Sequence, residues 1–203
     1  MIDLVLLALP PLFLPTVGLA HNWNWVGKVI ESLWPLLVAA IFRLPSELTG
    51  SKWPERAESY LTAGLLGLGL ACFHIYYFLQ GQMVSPSRNG LESILFQLTM
   101  PGLGEEIFYR GLLLAVLDKC LARPWKFFGV NIGWGCLISS GLFVATHVIV
   151  FDSDLKFSLC PDPFFYFFVA VIAMSMGYLR YKSDSVVPCI IAHNSVNGLR
   201  YII

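Results

Sequence analysis

Charge is scarce in this chain. Only 13% of its 203 residues are Asp, Glu, Lys or Arg, 57% are hydrophobic, and the mean hydropathy is +0.69. Soluble domains carry about 25% charged residues, so the composition describes a polytopic membrane protein without a separate soluble domain. The formal net charge of zero provides no basic footprint for nucleic acid and none for an acidic partner. A disulfide framework is also missing. The five cysteines, at 72, 120, 136, 160 and 189, are an odd number, and three lie inside apolar runs. No C-x-x-C or H-E-x-x-H pattern gives zinc a local signature. The start, Met1-Ile2-Asp3-Leu4, lacks the basic region of a secretion signal and is followed by no A-x-A site before His21. It reads as a retained first membrane helix, bent or shortened by Pro10, Pro11 and Pro15. There is no internal repeat and no low-complexity tract.

What is present is a series of long apolar runs. A bilayer core needs about 20 apolar residues per helix, and seven segments come near that length: about 2–20, 27–43, 60–79, 91–117, 127–150, 164–181 and 185–203. The expected fold is therefore all-α, a polytopic bundle of about seven transmembrane helices in one integral membrane domain over 1–203. The second segment opens on Asn22-Trp23-Asn24-Trp25, a polar and aromatic run suited to a membrane interface. The cluster Phe164–Phe168 reads as a lipid-facing belt, and His74 as an interfacial residue. If all seven segments cross, eight Lys or Arg residues (43, 52, 56, 119, 123, 126, 180 and 182) fall on one side and four (28, 88, 156 and 200) on the other. The basic side should face the cytoplasm, which turns the polar residues described next toward the outer leaflet.

Those polar residues are costly where they stand. A carboxylate in a lipid-embedded helix costs roughly 2.5–3.5 kcal/mol on insertion scales and marks a functional site by default. Here Glu105 and Glu106 arrive together, just after a break at Pro101, Gly102 and Gly104. Residues four apart share a helix face, so Glu106 can pair with Arg110 while Glu105 points elsewhere, unpaired and free to act as a base. His147 follows Phe143 by one turn on a later helix. With a reference pKa near 6.5, a histidine beside a carboxylate can help to deprotonate water. His193 and Asn197 offer two donors on one face of the last helix, suited to an oxyanion. The competing readings are a buried charge cluster that joins helices and interhelical hydrogen bonding by His193 and Asn197. Asn194 should point off that face. Ser139, Ser140 and Ser195 lack a G-x-S-x-G turn and are weak nucleophile candidates.

Taken in order, Glu105-Glu106-x-x-x-Arg110, Phe143-x-x-x-His147 and His193-x-x-x-Asn197 resemble the three motifs of the CAAX protease and bacteriocin-processing (CPBP, or Abi) family of intramembrane glutamic endopeptidases. The resemblance covers about 88–203, including the lead-in Gly177-Tyr178-Leu179-Arg180-Tyr181, and leaves 1–87 as variable N-terminal helices. It implies that Glu105 with His147 activates water, that His193 and Asn197 form the oxyanion hole, and that Glu106, Arg110 and Phe143 support the site. It implies no metal and no cofactor. The partners it implies are the lipid bilayer and a membrane protein or peptide substrate. The outward-facing site and compact chain favour a bacterial inner-membrane enzyme that removes the C-terminal sorting tail of exported proteins. The alternatives are trimming of prenylated proteins, a non-enzymatic bacteriocin-immunity protein, and a transporter using Glu and His as a proton relay.

Overall fold

The structure, a computed structural model, describes residues 23–55, 57–79, 90–151, 157–160, 162–199 and 201. The first apolar segment, 2–20, the side chains of Arg56, Arg88, Lys156 and Arg200, and His21 lie outside the described residues. Each of the other six anticipated segments contains a helix. We label them α1 (Trp25–Ile41), α2 (Glu58–Leu79), α3 (Leu91–Glu106), α4 (Leu114–Cys120), α5 (Trp134–Val148), α6 (Pro163–Ser183) and α7 (Val187–Leu199). A π-helical segment, Ile107–Leu113, joins α3 to α4 without a break in the rod, and a single helical turn, Ser46–Thr49, follows α1. The stretches Glu58–Tyr77 and Pro163–Ser183 are long and apolar enough to cross a membrane.

The all-α expectation holds, with two short β-ribbons added to it. Residues 127–150 do not begin as a helix: β1 (Trp125–Phe127) and β2 (Val130–Ile132) form an antiparallel hairpin, with Trp125 opposite Ile132. The turn residues Phe128 and Gly129 have φ of 44° and 81°. Positive φ at both central positions suits the twist of a two-residue hairpin, and glycine adopts it at no steric cost. A second ribbon pairs β3 (Ile149–Phe151) with β4 (Phe157–Leu159) after α5. Hydrophobicity alone does not separate these short apolar strands from the helix that follows or precedes them.

Local chemistry fixes the helix starts. Asn24 caps α1 by accepting from Gly27 N at 2.9 Å. Asp162 caps α6 by accepting from Phe164 N at 2.9 Å, with Pro163 in the first turn, where its missing N–H is no loss. The core has two parts. Phe108, Tyr109, Leu112 and Leu113 of the π segment pack with Val38, Phe143 and Val169, and Ala63, Leu70, Met176, Ala192 and Val196 join α2, α6 and α7. Phe164 and Phe167 are exposed as a lipid-facing belt requires, but Phe168 is buried. His74, expected at the interface, is also buried, with its ring 4.8 Å from that of Phe168.

The basic connections gather at one end of the bundle. Arg180 Nη2 donates to Leu48 O at 2.8 Å, Val186 N to Gly50 O at 3.0 Å, and Ser185 Oγ to Lys52 O. Tyr181 donates to Asp118 at 2.9 Å, and Arg123 stacks on Tyr181. The connections after α1, after α4 and after α6 are thereby tied together.

Candidate active site

The site begins at a broken helix. Pro101 interrupts the ladder of α3, since it has no N–H to donate. Asn194 of α7 clamps the helix on either side of the break: its Oδ1 accepts from Gly102 N at 2.8 Å and its Nδ2 donates to Thr99 O at 3.0 Å. A Cβ at residue 102 would lie 2.7 Å from that Oδ1, so the clamp requires glycine. Asn194, expected to point off the His193 face, is a buried staple between α3 and α7.

Immediately after the acidic pair the chain widens into the π segment, a feature that recurs at functional sites. Its carbonyls gain side-chain donors: Ser139 Oγ to Tyr109 O at 2.9 Å, and Arg180 Nε to Arg110 O at 3.2 Å. Ser139 thus holds backbone rather than acting as a nucleophile. Glu106 and Arg110 are 0% and 1% exposed, and Arg110 Nε lies 3.2 Å from Glu106 Oε2. That carboxylate oxygen lacks an aligned hydrogen bond, so the attraction is chiefly coulombic. Arg110 is held further by Ala173 O, to which Nη2 donates at 2.7 Å, and by the face of Phe143, 4.6 Å from its guanidinium carbon.

Glu106 has a second task that the sequence did not disclose. Its Oε1 lies 2.6 Å from His193 Nδ1, so a hydrogen there is shared with a carboxylate already balanced by arginine. His193 Nε2 is thereby aimed at Glu105 Oε2, 3.8 Å away. The other imidazole is fixed in the same manner. His147 Nδ1 lies 2.8 Å from Phe143 O, which can only accept, so Nδ1 carries the hydrogen and Nε2 faces Glu105 Oε2 at 3.6 Å. Phe143 stacks on the His147 ring at 4.3 Å and meets His193 edge-on at 5.9 Å. Two imidazoles from two helices therefore converge on one carboxylate oxygen carried by a third. Glu105 Oε2 is buried and has no hydrogen-bond partner among the described residues. Asn197, half-buried, makes no side-chain hydrogen bond to this group among the described residues.

Glu105 is not unpaired, as the spacing alone predicts. Its Oε1 lies 2.8 Å from Lys28 Nζ on α1, and the same ammonium lies 2.8 Å from Glu31 Oε2. Lys28 therefore belongs to the site rather than to a loop outside the bundle. The helix is seated by Trp23 stacking on Phe96 at 4.8 Å and by Trp25 Nε1 donating to Glu92 at 3.1 Å. The available signal was Lys28 and Glu31 at i,i+3 in an apolar helix, a pair that solvent does not explain.

Residues 87–199 match the family model of Rce1-like type II CAAX prenyl endopeptidases. No curated protein and no solved structure matches the chain.

Proposed function

The chain belongs to the Rce1-like type II CAAX prenyl endopeptidase family, a family of membrane proteases, and from that premise we propose a glutamic endopeptidase in which Glu105 and His147 activate water within the bilayer. The observation that carries the reading is the convergence of His147 Nε2 and His193 Nε2 on Glu105 Oε2 at 3.6 and 3.8 Å. These gaps are too long for direct hydrogen bonds and suit one bridging water. Glu105 Oε2 accepts a proton from that water, with assistance from His147, while the water oxygen attacks a peptide carbonyl; the C–N bond then breaks and the proton passes from Glu105 to the leaving amine. In its doubly protonated form His193 donates Nδ1–H to Glu106 and Nε2–H to the carbonyl oxygen as negative charge develops there. Loss of one such donor typically slows a reaction about 100- to 1000-fold. Asn197, one turn beyond His193, supplies a second donor once substrate is bound. Glu106, Arg110 and Phe143 hold the two imidazoles in place.

The substrate we propose is a membrane-anchored protein cut near the leaflet opposite the basic end, as in removal of a C-terminal sorting tail from an exported protein. The gathering of the basic connections at one end supports this, because that end should face the cytoplasm. Trimming of prenylated proteins is the second reading, and the description of the matched family favours it. Co-expression with candidate tailed proteins, followed by mass spectrometry of new C-termini, tests the proposal. Wild-type protein generates the new termini, and Glu105→Ala captures substrate without cutting it. Unchanged cleavage by Glu105→Ala refutes the mechanism. Cysteine labelling of the Gln80–Gly90 connection, of which residues 80–89 lie outside the described residues, decides the orientation; a cytoplasmic location would favour the prenyl-protein reading.

A further inference from the structure

The protease reading gives Glu105 one reactive oxygen but does not say what selects it. A carboxylate has two equivalent oxygens, and a glutamate side chain has several rotamers through which to present either. We propose that Lys28 is a positioning residue that fixes Glu105 so that Oε2 is the oxygen turned toward the imidazoles, with Glu31 as the anchor that holds the lysine. The inference rests on the protease reading and adds to it a helix lying outside the family-matched stretch 87–199.

Three observations carry it. First, the two oxygens of Glu105 are used differently. Oε1 is bound by Lys28 Nζ at 2.8 Å, whereas Oε2 faces His147 and His193 and lacks a partner among the described residues. Second, Lys28 is not a flexible surface lysine that happens to lie nearby. Its ammonium sits between carboxylates of two different helices, 2.8 Å from each, with 23% of its side chain exposed against 14% for each glutamate. Charge-assisted hydrogen bonds of this length are about twice as strong as neutral ones. Third, the close approach of α1 is provided for in the sequence of α3. A Cβ on Gly104 would lie 3.1 Å from Glu31 Cδ and 3.2 Å from its Oε2, so the residue preceding Glu105 makes room for the anchor. The base is thus pinned from one side by α1 and read from the other by α5 and α7. Removing the ammonium leaves the carboxylate free to rotate, and misplacement of a reacting group by about 1 Å can cost about 100-fold in rate.

The test compares full-length Lys28→Met, Lys28→Arg and Glu31→Gln with wild type, using a tailed, membrane-anchored reporter protein in co-expression and purified membranes. Lys28→Met should lower kcat about 10- to 100-fold with KM within about threefold, since orientation rather than substrate binding is lost. Lys28→Arg, which keeps a cation in reach of both carboxylates, should recover most of that loss. Glu31→Gln, which keeps the side-chain shape, should fall between wild type and Lys28→Met, and it tests the idea even if Lys28→Met does not accumulate. Kcat within twofold of wild type in both Lys28→Met and Glu31→Gln would overturn the inference, as would a raised KM at unchanged kcat, which would make Lys28 a substrate-binding group. A wild-type protein that leaves every tailed reporter intact would overturn the protease reading and this inference together; a wild type that cuts while the Lys28 variants cut equally well would overturn this inference alone.

Discussion

Replacing Glu106 by glutamine removes a negative charge from the most enclosed part of the site while preserving shape. The carboxylate is fully buried, 3.2 Å from an arginine that is 1% exposed and 2.6 Å from His193. In Glu106→Gln the amide oxygen still accepts from His193 Nδ1, but Arg110 loses its counter-charge while keeping Ala173 O and the faces of Phe143 and Tyr109. Breaking one side of a buried ion pair costs about 3–5 kcal/mol, because the remaining charge stays desolvated. Weakening the hydrogen bond to His193 from charge-assisted to neutral adds about 1 kcal/mol. Equilibrium unfolding in mixed micelles should therefore show a loss of about 4–6 kcal/mol, and cleavage should fall about 100-fold or more as the His193 donor loses its orientation. Adding Arg110→Met separates the two effects. The double variant removes the stranded cation and should regain at least about 2 kcal/mol of stability, while cleavage stays low because His193 is no better oriented. If Glu106→Gln unfolds with wild-type stability, or if the double variant is less stable than the single one, the buried-pair argument is wrong.

Asn194→Leu removes two hydrogen bonds between α7 and α3, one accepted from Gly102 N and one donated to Thr99 O, so about 1 kcal/mol of stability should be lost for each in the same unfolding measurement. Phe143→Leu keeps an apolar side chain but removes the ring that stacks on His147 and receives Arg110; the cation–π contact alone is worth about 2 kcal/mol when desolvated, and both stability and kcat should fall. His147→Ala should slow turnover of the tailed reporter about 100- to 10,000-fold while co-purification with uncut reporter persists. Thorough chelation should leave cleavage unchanged; activity lost to chelator and restored by zinc would require a metal mechanism.

The helical segments and the polar groups on three of them were legible because the signals are strong. Apolar runs of membrane length have few alternatives, and Glu105, His147 and His193 stand out against lipid-compatible neighbours. Glu106 with Arg110 was legible for the same reason, since i,i+4 spacing survives even in the wider turns of the π segment. Pairing between distant helices was not. Nothing in local spacing says that Lys28 reaches Glu105, or that Asn194 clamps α3 on either side of Pro101, because both contacts depend on how α1 and α7 lie against α3. The hairpin at 125–132 was missed for a different reason: three-residue strands rich in Trp, Phe, Val and Ile look like the start of the next helix when judged by hydrophobicity.

The clamping of α3 across Pro101 by Asn194 also has a consequence for biogenesis. Helix α3 emerges from the ribosome well before α7, so the break at Pro101, and the charges just beyond it, must enter the membrane before Asn194 and His193 have been synthesised. Until α7 is inserted, the nascent chain carries a helix without its clamp and a carboxylate pair without its second imidazole. It is vulnerable to quality control during that interval, and on the proposed mechanism it should not cut neighbouring chains at the translocon.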